Sequence, residues 1–262
     1  MKTLPRLLTI IAALGCTALL HAAAPAADTR AFELRTYTVT PGNLDKLLAR
    51  FRDHTMKIFE KHGMENIAYW VPAEAKDGAG EKLIYLIAHR SREAAKASWA
   101  AFSTDPEWKE AARASEVGGK IVAKAESLYL TATDFSPAIA ASLGRGGPRS
   151  FELRTYTAPE GRLAALDARF RDHTRALFTK HGITNVAYFH PVDANKGAAV
   201  TLVYLIAHAN REAAKASWAA FRADPVWVAA KAASETAAGG SLTVPDGVKS
   251  VFLTPTDFSQ TK

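Results

Sequence analysis

Cysteine is nearly absent from this chain of 262 residues, in which Cys16 is the one example. Cys16 lies in an N-terminal segment that carries the features of an export signal, so we expect the mature chain to contain no thiol. Disulfide bonds, cysteine nucleophiles and cysteine metal sites are then excluded.

Long apolar runs are also scarce. The one long run covers residues 7–20, follows the basic residues Lys2 and Arg6, and precedes an alanine-rich stretch at 22–27. This order is typical of a secretory signal peptide, and the run is shorter than the roughly 20 residues of a membrane-spanning helix. We predict a cleaved signal peptide over residues 1–27 and a periplasmic or secreted protein, with an uncleaved anchor as the alternative. A lipoprotein is not expected, because Ala13 stands where a lipid-attachment motif has leucine.

Clusters of basic residues and glycine-rich phosphate loops are missing as well. The formal net charge is +7, and removal of Lys2 and Arg6 with the signal would leave +5, scattered along the chain. Gly144, Gly146 and Gly147 belong to a linker rather than to a phosphate-binding loop. We therefore predict no nucleic-acid partner and, after signal removal, no membrane partner, while a homo-oligomer stays open.

The chain does contain an internal duplication. The sequence FELRTYT at 32–38 returns at 151–157, an offset of 119 residues. Between residues 32–116 and 151–235, 52 of 85 aligned positions are identical, which marks two copies of a whole domain. A TDFS motif closes each copy. We predict domains at 30–136 and 150–259, joined by a flexible linker of Ala, Gly and Pro at 137–149.

Each copy shows strand and helix patterns in a fixed order. In the first copy, apolar and polar residues alternate over residues 32–39, and helical spacing runs from Asn43 to a stop at Gly63. The patterns further predict strands at 65–71, 82–89 and 126–131 and helices at 93–102 and 107–117.

The order β-α-β-β-α-β is the ferredoxin-like pattern, which covers one face of its sheet with helices and leaves the other bare. A bare face on so small a domain has to be buried. We therefore predict an α+β protein in which two tandem ferredoxin-like repeats place sheet against sheet and form an intramolecular dimeric α/β barrel.

The repeated motifs also resemble a known family. The opening FELRTY, the RDHT of the first helix, His62-Gly63, and Tyr69-Trp70 with Pro72 resemble a NIPSNAP domain, and the second copy repeats this set with Phe189-His190 in place of Trp70-Val71. The resemblance covers nearly all of both copies. It implies the dimeric α/β-barrel fold that small cofactor-free monooxygenases and haem-degrading enzymes share, and it implies no particular reaction or catalytic residue.

The alternation of the first strand indicates candidate ligand-binding residues. Glu33, Arg35 and Tyr37 share one face, and Phe32 and Leu34 share the other. We expect the apolar pair to meet the helices and the polar trio to point into the barrel, where Arg35 and its mate could bind an anion. Packing of the sheets by Glu–Arg pairs alone is the alternative. The second copy would contribute the corresponding trio of Glu152, Arg154 and Tyr156.

Further candidates lie on the other strands and on the first helix. Tyr85, His89, Tyr204 and His208 on the third strands are ligand-binding candidates, and Tyr129 and Phe252 could add aromatic walls; core packing is the alternative. Histidine titrates near neutral pH, so candidates for acid–base catalysis are His54 and His173, together with Tyr37 and Tyr156.

These residues leave three hypotheses for function. The first is an exported barrel that binds a small anionic or aromatic ligand between the two repeats. The second is a cofactor-free enzyme, monooxygenase- or isomerase-like, that uses histidine or tyrosine for acid–base chemistry. The third is a structural module with a filled barrel. We predict no metal, because His54 and His62 are too far apart on their helix to share one, and no cofactor.

Overall fold

The structure is a computed structural model, and it describes residues 28–139 and 149–262. The predicted signal peptide lies outside the described residues, as does most of the predicted linker. Repeat 1 and repeat 2 denote the two copies below.

Repeat 1 contains four strands and four helices. The long first helix predicted from the sequence is divided by a π-helical turn at Phe51–Thr55. Its extra residue is accommodated by Thr55, whose hydroxyl donates to the carbonyl of Arg50 at 3.1 Å. The elements are β1 (Ala31–Val39), α1 (Leu44–Arg50), α2 (Met56–Lys61), β2 (Glu65–Pro72), β3 (Lys82–His89), α3 (Arg92–Thr104), α4 (Pro106–Ser115) and β4 (Val122–Ala132).

Repeat 2 has the same order, with its π-helical turn at Phe170–Thr174. Its elements are β5 (Ser150–Thr157), α5 (Leu163–Arg169), α6 (Arg175–Lys180), β6 (Thr184–Pro191), β7 (Thr201–His208), α7 (Arg211–Ala223), α8 (Pro225–Ala237) and β8 (Val248–Pro255).

The eight strands close into one antiparallel barrel in the order β1-β3-β2-β8-β5-β7-β6-β4. Each repeat supplies one four-stranded sheet, and the two sheets join where β2 pairs with β8 and β4 pairs with β6. The predicted α+β barrel of two ferredoxin-like repeats is confirmed. Closure explains the duplication, because a closed barrel leaves no sheet edge exposed.

The barrel interior is apolar and filled by both repeats. Phe32 of β1 packs on Phe189 of β6 with ring centroids 5.1 Å apart, and Trp70 packs on Phe151 at 5.7 Å. Between Leu34, Leu153 and their neighbours a cavity of only about 10 Å³ remains, about the space of one water.

The predicted orientation of the first strand is therefore wrong. Phe32 and Leu34 point into the barrel, and Glu33, Arg35 and Tyr37 point towards the helices. Strand alternation fixes which residues share a face, but not which face meets the other repeat. The physical reason for the observed choice is that two sheets in contact exclude water, so large apolar side chains are buried there at the lowest cost. The hypothesis of a ligand site between the repeats loses its geometric basis.

The TDFS motifs connect the two repeats through side-chain contacts. After β4, Phe135 packs on Tyr188 of repeat 2 at 5.4 Å, and Asp134 accepts hydrogen bonds from Arg171 at 2.8 and 3.0 Å. After β8, the equivalent segment crosses back to repeat 1, where Asp257 accepts two bonds from Arg52 at 2.8 Å. The arginine of each RDHT motif thus holds the terminal segment of the other repeat.

Candidate functional site

A buried carboxylate lies between the sheet of repeat 1 and helix α3. The Glu33 side chain is only 1% exposed. It accepts hydrogen bonds from the Trp99 indole at 2.7 Å and from the Ser127 hydroxyl at 2.5 Å, and His89 Nε2 lies 3.1 Å from it. Arg35 Nη1 donates to the same carboxylate at 2.5 Å. Glu33 is therefore surrounded by donors from three strands and one helix.

The donors decide the charge of this carboxylate. Burial by itself raises the pKa of Glu33, but the bond from His89, the charge of Arg35 and the bonds from Ser127 and Trp99 outweigh it and lower the pKa to about 2. Glu33 is thus ionised at neutral pH, and its donors are already committed to it.

Arg35 connects the carboxylate to an aromatic group. Its guanidinium lies 4.3 Å from the centre of the Trp99 ring, and its Nη2 donates to the Tyr37 hydroxyl at 3.3 Å. Tyr37 in turn packs edge-on against Tyr85 with centroids 5.4 Å apart. Burial raises the pKa of Tyr85 well above its usual value, so this phenol stays protonated.

Repeat 2 contains the same network. Glu152 accepts from Trp218 at 2.8 Å, from Ser250 at 2.5 Å and from Arg154, and His208 Nε2 lies 3.1 Å away. The pKa of Glu152 is likewise lowered to about 2, because the bond from His208, the charge of Arg154 and the bonds from Ser250 and Trp218 outweigh burial. Arg154 also donates to the hydroxyl of Tyr204 at 2.8 Å and to that of Tyr156 at 3.2 Å.

The predicted ligand-binding residues therefore form two groups rather than one. Each group lies between the sheet of its own repeat and the helix α3 or α7 that covers it, and the filled barrel separates the groups. The structure brings Glu33, Arg35, Tyr37, Tyr85 and His89 together in repeat 1, and Glu152, Arg154, Tyr156, Tyr204 and His208 in repeat 2.

An open cleft lies beside the repeat 1 network. It has a volume of about 440 Å³ and lies between the first two turns of α3 and strand β4. Arg92 lies over the ring of Tyr129, 3.2 Å from its centre, and Lys96 is exposed one helical turn further. We call this feature the repeat 1 cleft. Its lining residues are Arg92, Glu93, Lys96, Trp99 and Tyr129.

The cleft and the buried network share residues. Trp99 lines the cleft while its indole N–H is bonded to Glu33. Tyr129 lies near the same carboxylate, and burial, the charge of Glu33 and a hydrogen bond to Glu33 raise the pKa of Tyr129 to about 12. The cleft thus presents Lys96, Glu93 and two aromatic side chains above a fixed buried charge, together with Arg92, which also contacts Asp193 of repeat 2 at 3.2 and 3.4 Å.

The histidines proposed for acid–base catalysis lie elsewhere. His54 is exposed on the π-helical turn and lines a surface groove between that turn and α4, with Asp53 and Ala111. His173 is exposed at the equivalent position of repeat 2. Both histidines therefore lie on the outer surface and not beside the polar trio of either repeat.

Sequence reasoning missed most of the cleft. It did not name Arg92, Lys96, Trp99 or Ser127 as site residues. One signal was available, because Arg92, Lys96 and Trp99 follow one another at helical spacing and would lie on one side of α3. No sequence pattern indicates that β4 lies opposite this side of the helix.

The described residues contain neither a metal-binding cluster nor a helix that could span a membrane. Across 28–139 and 149–262, no three His, Cys, Asp or Glu side chains are grouped so that they could hold a metal ion. Over the same two ranges, no helix has the length and apolar character needed to cross a membrane.

The fold and the network define a fused pair of ferredoxin-like α+β repeats closed into one barrel. The sequence profile of the NIPSNAP family matches residues 32–137 and again 151–260. The chain therefore belongs to the NIPSNAP family, with two tandem domains. A search of curated proteins finds no match.

Solved structures support the fold. A proposed monooxygenase from Fusobacterium nucleatum is 9% identical, with 87% of this chain and 92% of that chain covered and a TM-score of 0.54. A proposed monooxygenase from Lactobacillus acidophilus is 11% identical, with 87% and 94% covered and a TM-score of 0.50. An uncharacterised NIPSNAP-like domain protein from Burkholderia xenovorans is 19% identical over 43% of this chain and 92% of that chain, with a TM-score of 0.37. At these identities only the fold is compared, and the comparison rests on the first two structures, whose TM-scores are 0.54 and 0.50.

Proposed function

We propose that this protein is exported and binds a small aromatic carboxylate in the repeat 1 cleft. The observation that carries the proposal is the cleft itself, in which two basic side chains and two aromatic rings converge in about 440 Å³. Pockets of roughly 300 Å³ and more suit small organic ligands. Export rests on the charged, apolar and alanine-rich order of residues 1–27.

The charges favour an anion with a single negative group. Arg92 and Lys96 lie in the first two turns of α3, where the helix dipole adds positive potential. Glu93 also lines the cleft, and its carboxylate repels a ligand with several negative charges. Glu33 does not compete with a bound anion for these cations, because its donors are Arg35, His89, Ser127 and Trp99.

The indole of Trp99 supplies the surface for an aromatic body, since Arg92 covers the ring face of Tyr129. Trp99 is held in place by its bond to Glu33, so its orientation is set before a ligand arrives. A side chain fixed in this way loses little conformational entropy on binding. The buried network is therefore a support for the cleft and not the contact surface itself.

The enzyme hypothesis has weaker support in this geometry. Glu33, with its pKa lowered to about 2, is a poor base, and Tyr129, with its pKa raised to about 12, stays protonated near neutral pH. The exposed His54 and His173 lie outside the cleft. Binding needs no group that titrates near pH 7.

Titration calorimetry with benzoate, and with benzyl alcohol as an uncharged match, tests the proposal. We expect saturable binding of benzoate, with benzyl alcohol at least tenfold weaker. The double variant Arg92→Gln/Lys96→Gln should lose at least tenfold in affinity. The matched control Lys109→Gln/Arg113→Gln removes the same charge from α4 and should bind as the wild type does. Absence of benzoate binding by the folded protein, or equal loss in the control, would rule the cleft out.

A further inference from the structure

A cavity lies at the junction where the end of β4 meets repeat 2. It has a volume of about 540 Å³, which is within the range of sites for small organic molecules. Its walls include the apolar side chains of Ala132, Phe135, Ala138 and Ile139, and Arg175 at the start of α6 also lines it. We call this feature the junction cavity. No residue of the described chain lines both the junction cavity and the repeat 1 cleft.

Arg175 brings an unpaired positive charge to the junction cavity. Within residues 28–139 and 149–262 its guanidinium has no ion-pair or hydrogen-bond partner, and its Nε atom is buried. The two carboxylates of the lining are bonded to other arginines. Asp28 accepts from Arg30 at 2.6 Å, and Asp134 accepts from Arg171 at 2.8 and 3.0 Å. The donors of Arg175 are therefore free for a ligand.

A buried hydroxyl in the same cavity also lacks a partner. Thr133 is 6% exposed and lines the cavity, and its Oγ1 atom has no hydrogen-bond partner in the described part of the chain. Buried polar groups are nearly always hydrogen-bonded, because an unmade bond leaves the loss of hydration uncompensated. The Thr133 hydroxyl and the Arg175 guanidinium thus both offer donors to an acceptor inside the cavity.

The equivalent junction after β8 differs in both features. The offset of 119 residues places Met56 at the position that corresponds to Arg175, so a thioether replaces the guanidinium. Thr256, the counterpart of Thr133 in the second TDFS motif, donates its hydroxyl to the carbonyl of Tyr69 at 3.3 Å. The barrel closes at both junctions, so closure does not require the free cation or the unbonded hydroxyl.

We propose that the junction cavity binds an aliphatic monocarboxylate, whose carboxylate meets Arg175 and Thr133 and whose chain lies along the apolar walls. A carboxylate suits this pair of donors, because a guanidinium can donate two parallel hydrogen bonds to it. An aliphatic chain suits the walls better than a ring, since the one aromatic side chain of the described lining, Phe135, is already packed on Tyr188.

The charges of the lining limit the ligand to one negative group. Asp28 and Asp134 face the same cavity, and their carboxylates repel a second negative charge on the ligand. The inference goes beyond the proposed function and does not depend on it, because the cleft and the cavity are built from different residues.

Titration calorimetry with hexanoate, and with hexanol as the uncharged match, tests this inference. We expect saturable binding of hexanoate, with hexanol at least tenfold weaker. Arg175→Met introduces the residue that repeat 1 has at the equivalent position, and it should weaken hexanoate binding at least tenfold, because a charge-assisted bond is lost. Thr133→Val keeps the shape of the side chain and should weaken binding about fivefold.

Arg222→Met is the matched control, since Arg222 is an exposed arginine on α7 that does not line the cavity. This variant should bind hexanoate as the wild type does, and far-ultraviolet circular dichroism shows whether each variant is folded. Failure of the folded wild type to bind hexanoate overturns the inference, and so does binding that Arg175→Met leaves unchanged or that Arg222→Met weakens equally. The cleft is tested with benzoate, so the two proposals fail separately.

Discussion

The Trp99 indole nitrogen donates to the Glu33 carboxylate at 2.7 Å, and Trp218 makes the same bond to Glu152 at 2.8 Å. Each bond joins a helix on the outside of the barrel to the first strand of its repeat. It satisfies a buried charge and fixes an aromatic side chain at the same time.

Replacement of the indole should destabilise the protein through the carboxylate. Trp99→Phe keeps most of the ring but removes the donor to Glu33, and a bond to a charged group contributes about 2 kcal/mol. We expect a loss of that size in urea unfolding. Trp108→Phe on α4 is the control, since Trp108 packs on Phe102 but does not contact Glu33. An equal loss in both variants would assign the effect to ring size alone.

Removal of the carboxylate charge should make stability less sensitive to acid. The pKa of Glu33 is about 2 in the folded protein and 4.5 ordinarily, so folding favours its ionised form. That contribution, about 3 kcal/mol, is complete above pH 4.5 and is lost as the pH falls towards 2. The destabilisation by Glu33→Gln should therefore be about 2 kcal/mol smaller at pH 3 than at pH 7.

Urea unfolding at the two pH values measures this difference. Glu126→Gln is the control, because Glu126 is an exposed carboxylate on β4 that pairs with Lys124. A destabilisation by Glu33→Gln that is the same at pH 3 and pH 7 would contradict the lowered pKa.

The TDFS segments that follow β4 and β8 should stabilise the other repeat more through their aromatic residue than through their charge. Phe135 is 3% exposed and packs on repeat 2, so Phe135→Ala should cost about 3–5 kcal/mol. Asp134→Asn removes an exposed pair with Arg171 and should cost less than about 1 kcal/mol. Hydrogen exchange in Phe135→Ala should increase first in β6, a strand of the other repeat. Faster exchange confined to repeat 1 would exclude the reciprocal arrangement.

The barrel interior should behave as a core. Leu86 is 3% exposed and faces the interior, so Leu86→Ala should cost about 2–5 kcal/mol. Benzoate affinity should stay within twofold of wild type, since the cleft lies on the other side of the sheet. A large gain or loss of benzoate binding in this variant would indicate that the ligand site lies in the barrel interior.

Most of the fold could be predicted from the sequence, because its signals are local or repeated. The strand at residues 82–89 was predicted with its observed bounds, and the offset of 119 residues indicated the barrel. The π-helical turn could not be predicted, since the helical spacing of Phe51 and Thr55 is continuous in the sequence. The crossing of the TDFS segments was also not visible, because their contacts are with residues of the other repeat.

The candidate site could be predicted only as a set of residues. Alternation placed Glu33, Arg35 and Tyr37 together, and they do lie together, but on the side that was not expected. The repeat 1 cleft depends on Trp99 and Tyr129, which are 30 positions apart on a helix and a strand.

The sequence by itself determined the duplication, the order of strands and helices in each copy and the family. Those properties follow from local periodicity and from identity between the copies. Only the tertiary structure decided which face of each sheet is buried in the barrel interior, because that choice depends on how both sheets pack as a whole. The same packing leaves Arg92 and Tyr129 at an open cleft, and no single strand or helix carries that information.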